Sequence, residues 1–171
     1  DGNPYFIEMN PRIQVEHTVT ELVTDVDIVR SQILIAEGYP LNSPEINISS
    51  QEAIQCHGYA IQTRVTSEDP SNNFMPDTGK VSVYHSGSGN VIRLDGGNIY
   101  TGAEILPYYD SLLGKLIVRA GTREEAVRKM KAALCELVIE GVETNIAEQL
   151  ELVSDPRFMS GGYDLTFMEG R

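Results

Sequence analysis

The hydrophobic pattern changes period part-way along the chain, and this change limits the fold more than any other feature. From Thr18 to Glu37 apolar residues recur at helical spacing, through Val19, Leu22, Val23, Val26, Ile28, Val29, Ile33, Leu34 and Ile35. Asp25 is placed to cap a second helix within this run, and Gly38, with Pro40 beyond it, to stop it. Residues 41–55 hold Pro44 among several Ser and Asn residues and read as a connector. Beyond it, residues 59–65 alternate as a strand does. Further short strands are expected at 80–85, 91–94 and 112–119, with a loop over 67–77 and Gly-rich turns between. Thr122 and Glu125 make a capping box that opens a helix to about Leu137, with a buried stripe of Ala126, Met130, Ala133, Leu134 and Leu137. A second helix is expected over 145–153, with Asn145 and Glu148 at its start. Strands followed by helices imply an α+β architecture, an antiparallel sheet covered by helices. The domain boundary falls in the connector, giving segments 1–40 and 41–171.

Composition narrows the function classes. A formal charge of −12 over 171 residues argues against nucleic acid or an anionic membrane as the main partner. It leaves a nucleotide open, because a few placed cations and a metal hold phosphates. No apolar run reaches the roughly 18 residues a transmembrane helix needs. Cys56 and Cys135 fit no zinc spacing, and as buried thiols they suit a reducing compartment, cytoplasmic or mitochondrial. The opening Asp1-Gly2-Asn3-Pro4 reads as a turn with neither an initiator methionine nor a leader, as in the middle of a longer protein.

The densest chemistry lies in YFIEMNPRIQVEHTVTE, residues 5–21. Three carboxylates, one guanidinium, one imidazole and two amides follow a short apolar stretch, 5–9, expected as a strand. Each such group needs a partner or water, so a core is a poor use for them, whereas a strand end is a common place for a site. Glu8 and Asn10 alternate onto one face of an extended chain and offer hard oxygen ligands to Mg²⁺. Arg12 continues the alternation, and its planar fork matches a small oxyanion. Glu16 has two readings, a base or an ion-pair partner of Arg12. His17 also has two, a proton shuttle or a structural histidine. A salt-bridged loop at a domain edge remains an alternative to metal-assisted chemistry on an anion.

FIEMNPRIQVEHTVTE resembles the signature of the biotin carboxylase component of biotin-dependent carboxylases, an ATP-grasp family. GYAIQTRVTSEDP, NNFMPDTGKV, RLDGG, PYYDSLLGKLIV and GVETNI resemble further blocks of that family in the expected order. NNFMPDTGK and Pro11 are more similar to the pyruvate carboxylase branch than to the acetyl-CoA or propionyl-CoA carboxylase subunits. The resemblance implies the end of an ATP-grasp domain followed by a biotin carboxylase C-terminal domain. It implies that ATP and bicarbonate form carboxyphosphate, which supplies CO₂ to N1′ of biotin. Glu8 and Asn10 then hold Mg²⁺ (or Mn²⁺) on ATP; Arg12, Gln14 and the Val15 N–H bind bicarbonate; Glu16 is the base. Arg64 stabilises the biotin enolate, Asp110 orients Arg64 or contacts biotin, and Leu165 packs on the adenine. The phosphate loop, the ATP-binding lysines, the biotin carrier and the carboxyltransferase are expected elsewhere in a larger, homo-oligomeric protein. A purely structural or dimerising module is the non-enzymatic alternative. Lys129-Met130-Lys131 inverts the Met-Lys-Met order of a biotinylation site and is read as a core Met between solvated lysines.

Overall fold

The computed structural model describes residues 3–97 and 99–169 and divides into two compact units, 1–56 and 57–171.

In the first unit, residues 3–10 run without regular structure. The strand expected there does not form. Tyr5, Phe6, Ile7 and Met9 are all at least three-quarters exposed. A strand exists only by virtue of a neighbour to exchange hydrogen bonds with, and no pairing to this segment is present among the described residues. The long apolar run divides into α1 (His17–Thr24) and α2 (Ile28–Ala36). Asp25 does not cap α2: it ends α1 in the left-handed conformation, φ 57°, and Asp27 is the cap, its side chain accepting from the Arg30 N–H. Glu21, buried, also serves that helix start, accepting from the Ile28 N–H at 2.8 Å. Gly38 stops α2 as expected. At φ 97° its N–H bonds the Ile35 carbonyl and the Tyr39 N–H bonds Leu34, a double closure that favours glycine. No residue of α2 is buried, and Val29, Ile33 and Ile35 stand exposed.

The second unit carries β1 (Tyr59–Thr66), β2 (Glu68–Asp69), β3 (Met75–Pro76), β4 (Gly79–Lys80), β5 (Val83–His85), β6 (Ile92–Gly96), β7 (Glu104–Ile105), β8 (Leu112–Ala120) and β9 (Val138–Glu140), with α3 (Arg123–Glu136), α4 (Ile146–Ser154) and α5 (Pro156–Ser160). Its centre is an antiparallel sheet in the order β1–β8–β6. The rows Ile61–Val118–Ile92 and Thr63–Leu116–Leu94 lie on one face. They pack on α3 through Met130, Ala133, Leu134 and Leu137. The helix forms where the capping box predicts, with both reciprocal bonds at Thr122 and Glu125. The expected strand at 80–85 is two strands with different partners, β4 on β7 and β5 on β9. The exchange falls at Val81 and Ser82, whose N–H groups bond Ala103 and Glu140 respectively. Gly141 permits it: at φ 98°, a Cβ there would lie 2.2 Å from the Lys80 carbonyl oxygen.

Two expectations about side chains fail. Cys56 and Cys135 are exposed rather than buried; Cys135 lies off the apolar stripe of α3. Lys129 is half-buried rather than simply solvated: its ammonium donates to the carbonyls of Asn90 (3.0 Å) and Arg119 (2.9 Å) and ties the helix to the turn before β6 and the end of β8.

The rows Arg64–Lys115–Asp95 and Gln62–Ile117–Arg93 lie on the other face of the sheet. Partial burial pushes the Asp95 carboxyl up, but the two hydrogen bonds and charge of Arg93, with Lys115 at 3.5 Å, outweigh it and hold the group below its ordinary value. An acid depressed in the folded state stabilises above its unfolded-state value, and this contribution is lost as pH falls through the folded value. Asp95→Asn is therefore expected to cost under about 1 kcal/mol at neutral pH. In urea titrations the deficit should shrink as pH falls below the ordinary carboxylate range; a deficit independent of pH would contradict the assignment.

Candidate functional site

The polar run of the first unit leads into the N-terminus of α1. A turn interrupts it: the Arg12 N–H bonds the Asn10 carbonyl at 2.8 Å, with Pro11 at the apex. The alternation of Glu8 and Asn10 therefore does not extend to Arg12, whose guanidinium instead donates to the Ile13 carbonyl at 3.1 Å. Glu8, Asn10, Arg12 and Glu16 are exposed, while Gln14 and Val15 are half-buried. Glu16 takes the N-cap position of α1 without a side-chain cap bond. The positive end of the helix dipole thus lies beside Gln14, Val15 and Glu16, where an anion is favoured.

His17 is held structurally. Its Nδ1 lies 2.6 Å from the Gln14 carbonyl oxygen, which can only accept, so Nδ1 carries the proton. Its Nε2 is 4.0 Å from Glu21. Among the described residues no three His, Cys, Asp or Glu side chains gather to hold a metal. The Glu8 carboxylate and the Asn10 amide oxygen are a donor pair suited to a metal that shares its shell with phosphates.

In the second unit Arg64 is exposed on β1, opposite Lys115 on β8, while Thr63 on the reverse face is buried with its hydroxyl toward the Met130 sulfur. Lys115 in turn pairs with Asp95 at 3.5 Å. Asp110 caps a turn, accepting from the Leu112 N–H at 2.8 Å. It lines an open cavity of about 260 Å³ with Ile99, Ile105, Leu106, Tyr109 and Leu113. Leu165 is fully exposed.

Two groups near Arg64 escape a sequence reading. Glu68 accepts from the hydroxyls of Ser111 (2.6 Å) and Thr66 (3.0 Å), joining the loop that carries Asp110 to the strand that carries Arg64. Its partners lie 43 and 2 residues away, so no spacing announces it. Asn145 occupies the N-cap position of α4, as its N-x-x-E pattern suggests, but makes no side-chain cap. Its amide bonds β1 instead.

Two family models match in tandem: the carbamoyl-phosphate synthase L chain ATP-binding domain over residues 1–44, and the biotin carboxylase C-terminal domain over 62–170. The chain belongs to the biotin carboxylase C-terminal domain family. It is 53% identical to pyruvate carboxylase of Bacillus subtilis and 51% identical to that of Staphylococcus aureus, in each case over 96% of its length. It spans about 14% of the length of these curated relatives. A complete multifunctional pyruvate carboxylase from Rhizobium etli superposes with a TM-score of 0.92 at 48% identity, over 97% of this chain and 15% of that one. The biotin carboxylase domain dimer of Hydrogenobacter thermophilus 2-oxoglutarate carboxylase, solved with MgADP, ADP and bicarbonate, gives 0.90 at 45%, over 98% of this chain and 36% of that one. No helix among the described residues is long and apolar enough to cross a membrane.

Proposed function

We propose that this chain supplies the bicarbonate-binding and biotin-facing residues of a biotin carboxylase unit within a pyruvate carboxylase, residues 1–40 ending its ATP-grasp domain and 41–171 forming its C-terminal domain. The observation that carries this reading is the tandem of family matches, with the run Glu8–Glu16 lying within the first and Arg64 within the second. The bicarbonate in the structure of the 2-oxoglutarate carboxylase domain supports the assignment of the anion.

In this reading Arg12, Gln14 and the Val15 N–H bind bicarbonate against the positive end of α1. Glu16 takes its proton as an oxygen attacks the γ-phosphorus of ATP, giving carboxyphosphate and ADP. Carboxyphosphate breaks down to CO₂ and phosphate; the released phosphate takes the N1′ proton of biotin, and N1′ bonds the carbon of CO₂. Arg64 offsets the negative charge that develops on the biotin ureido oxygen. Asp110 faces biotin, and Leu165 contacts the adenine. Glu8 and Asn10 hold Mg²⁺, which when bound neutralises the ATP phosphates. Biotin arrives on a carrier, and a carboxyltransferase passes the carboxyl group to pyruvate, yielding oxaloacetate; both lie beyond this chain. A homo-oligomer is in keeping with the dimer named for the 2-oxoglutarate carboxylase domain.

A second reading, a structural module without its own chemistry, is favoured by the wholly unburied α2 and the exposed 5–9 segment. The two diverge by experiment. The 171-residue chain, given MgATP, bicarbonate and free biotin, is expected to release no phosphate above a protein-free control, because Glu8 and Asn10 lie on a segment with no strand to fix them. The intact carboxylase is expected to turn over. Bicarbonate-dependent turnover by the 171-residue chain would contradict the division of the site, and an intact protein inert to ATP would favour the structural reading.

A further inference from the structure

Strand β1 is an edge strand, paired only with β8 in the central sheet. The ladder is irregular one residue beyond Arg64, between Val65 and Thr66: Val65 faces Gly114 but Thr66 faces Leu112, leaving Leu113 as an extra residue on β8. Such a bulge weakens local pairing and re-aims the side chains beside it. On the outer edge of β1, at the same point, Asn145 takes the place of a missing strand. Its Nδ2 donates to the Arg64 carbonyl at 3.0 Å, its Oδ1 accepts from the Thr66 N–H at 3.0 Å, and its own N–H donates to the Thr66 carbonyl at 3.2 Å. Three bonds from one residue thus straddle the strand end that carries Arg64. Asn145 is 6% exposed, so losing them would leave backbone groups without water to replace the amide.

The local rule broken here is informative. An Asn at a helix N-cap ordinarily spends its side-chain oxygen on the helix's own first N–H groups. This one leaves α4 without that cap and gives both ends of its amide to β1. Asparagine alone among the small cap residues carries its donor and its acceptor on two separate atoms, so that it can span the Arg64 carbonyl and the Thr66 N–H at once; a serine or threonine hydroxyl has both on a single oxygen. Aspartate can accept from Thr66 but cannot donate to the Arg64 carbonyl.

We propose that Asn145 is a positioning residue for Arg64, fixing the backbone from which the guanidinium projects and so the efficiency of biotin carboxylation. The proposal rests on the assignment of Arg64 to biotin. It locates the control of that arginine in the turn between β9 and α4, far from it in sequence.

The test uses the intact carboxylase carrying Asn145→Ala, Asn145→Asp or Arg64→Ala. Carboxylation of free biotin, bicarbonate-dependent ATP cleavage without biotin, circular dichroism and melting temperature are measured for each. The expected result is folded Asn145 variants whose carboxylation kcat falls about 10- to 100-fold, with biotin-independent ATP cleavage kept within about two-fold. Asn145→Asp, which retains the acceptor, should share the loss. Parallel loss of both activities, a lowered melting temperature with carboxylation intact, or failure of both variants to fold would overturn the proposal and mark Asn145 as purely structural. Arg64→Ala separates the two assignments. A selective carboxylation loss there with none in the Asn145 variants rejects the positioning role alone. No selective loss in Arg64→Ala rejects the role of Arg64 itself.

Discussion

Glu16→Gln in the intact carboxylase is expected to lower bicarbonate-dependent ATP cleavage by about 10²- to 10⁴-fold, the usual contribution of a positioned general base. The substitution keeps the shape and hydrogen-bonding reach of the side chain and removes only its ability to accept the proton. Bicarbonate is a weak acid, so a carboxylate can deprotonate it only where neighbouring positive charge favours the dianion. The start of α1 lies beside Glu16, and in the proposed site Arg12 adds a second positive charge. The loss should appear in kcat, with KM for ATP little changed, because Glu16 is not assigned to the nucleotide. If Glu16 were only an ion-pair partner of Arg12, Glu16→Gln would raise the bicarbonate requirement while leaving kcat at saturating bicarbonate near its original value. Initial rates of phosphate release across a bicarbonate series distinguish the two.

Arg64→Ala is expected to lower carboxylation of biotin by about 10²- to 10³-fold, the scale for losing one charge-stabilising donor. ATP cleavage without biotin should change little. The two activities should separate because Arg64 lies in the second compact unit, whereas the residues proposed to bind bicarbonate lie in the first. Arg64→Lys should recover only part of the loss, since an ammonium on a flexible stem does not reproduce the planar fork of the guanidinium. The cross-strand neighbour Lys115 does not compensate, being engaged with Asp95 at 3.5 Å.

Much of the second unit was legible in the sequence, because its signals are local. The alternation over 59–65, the capping box at Thr122 and the apolar stripe of α3 each state a period or a cap within one element, and each element forms. What was not legible depended on partners. Residues 5–9 carry a strand-like composition but pair with no neighbour among the described residues, so no strand forms there. The division of 80–85 into two strands follows from an exchange of partners at Val81 and Ser82 that no periodicity encodes. Asn145 reads as a helix cap, and its N-cap position is as read; only the tertiary contact with β1 reveals where its amide goes. Lys129 looks like a surface lysine until the carbonyls of Asn90 and Arg119 come within reach of its ammonium. The candidate site divides in the same way. The density of charged groups from Glu8 to Glu16 stands out by residue type alone, whereas the turn at Pro11 that takes Arg12 off the shared face, and the Glu68 bridge between the Arg64 and Asp110 segments, are visible only in three dimensions.

The central claim is that the chain divides its chemistry, with bicarbonate activation assigned to the first unit and biotin to the second. The most direct measurement is the amount of carboxylated biotin formed per phosphate released from ATP, in the intact carboxylase and in its Glu16→Gln and Arg64→Ala variants. The expected result is that Glu16→Gln loses both products together, while Arg64→Ala continues to release phosphate with carboxylated biotin reduced by about 10²-fold or more. An unchanged ratio in Arg64→Ala, with both products falling equally, would contradict the claim.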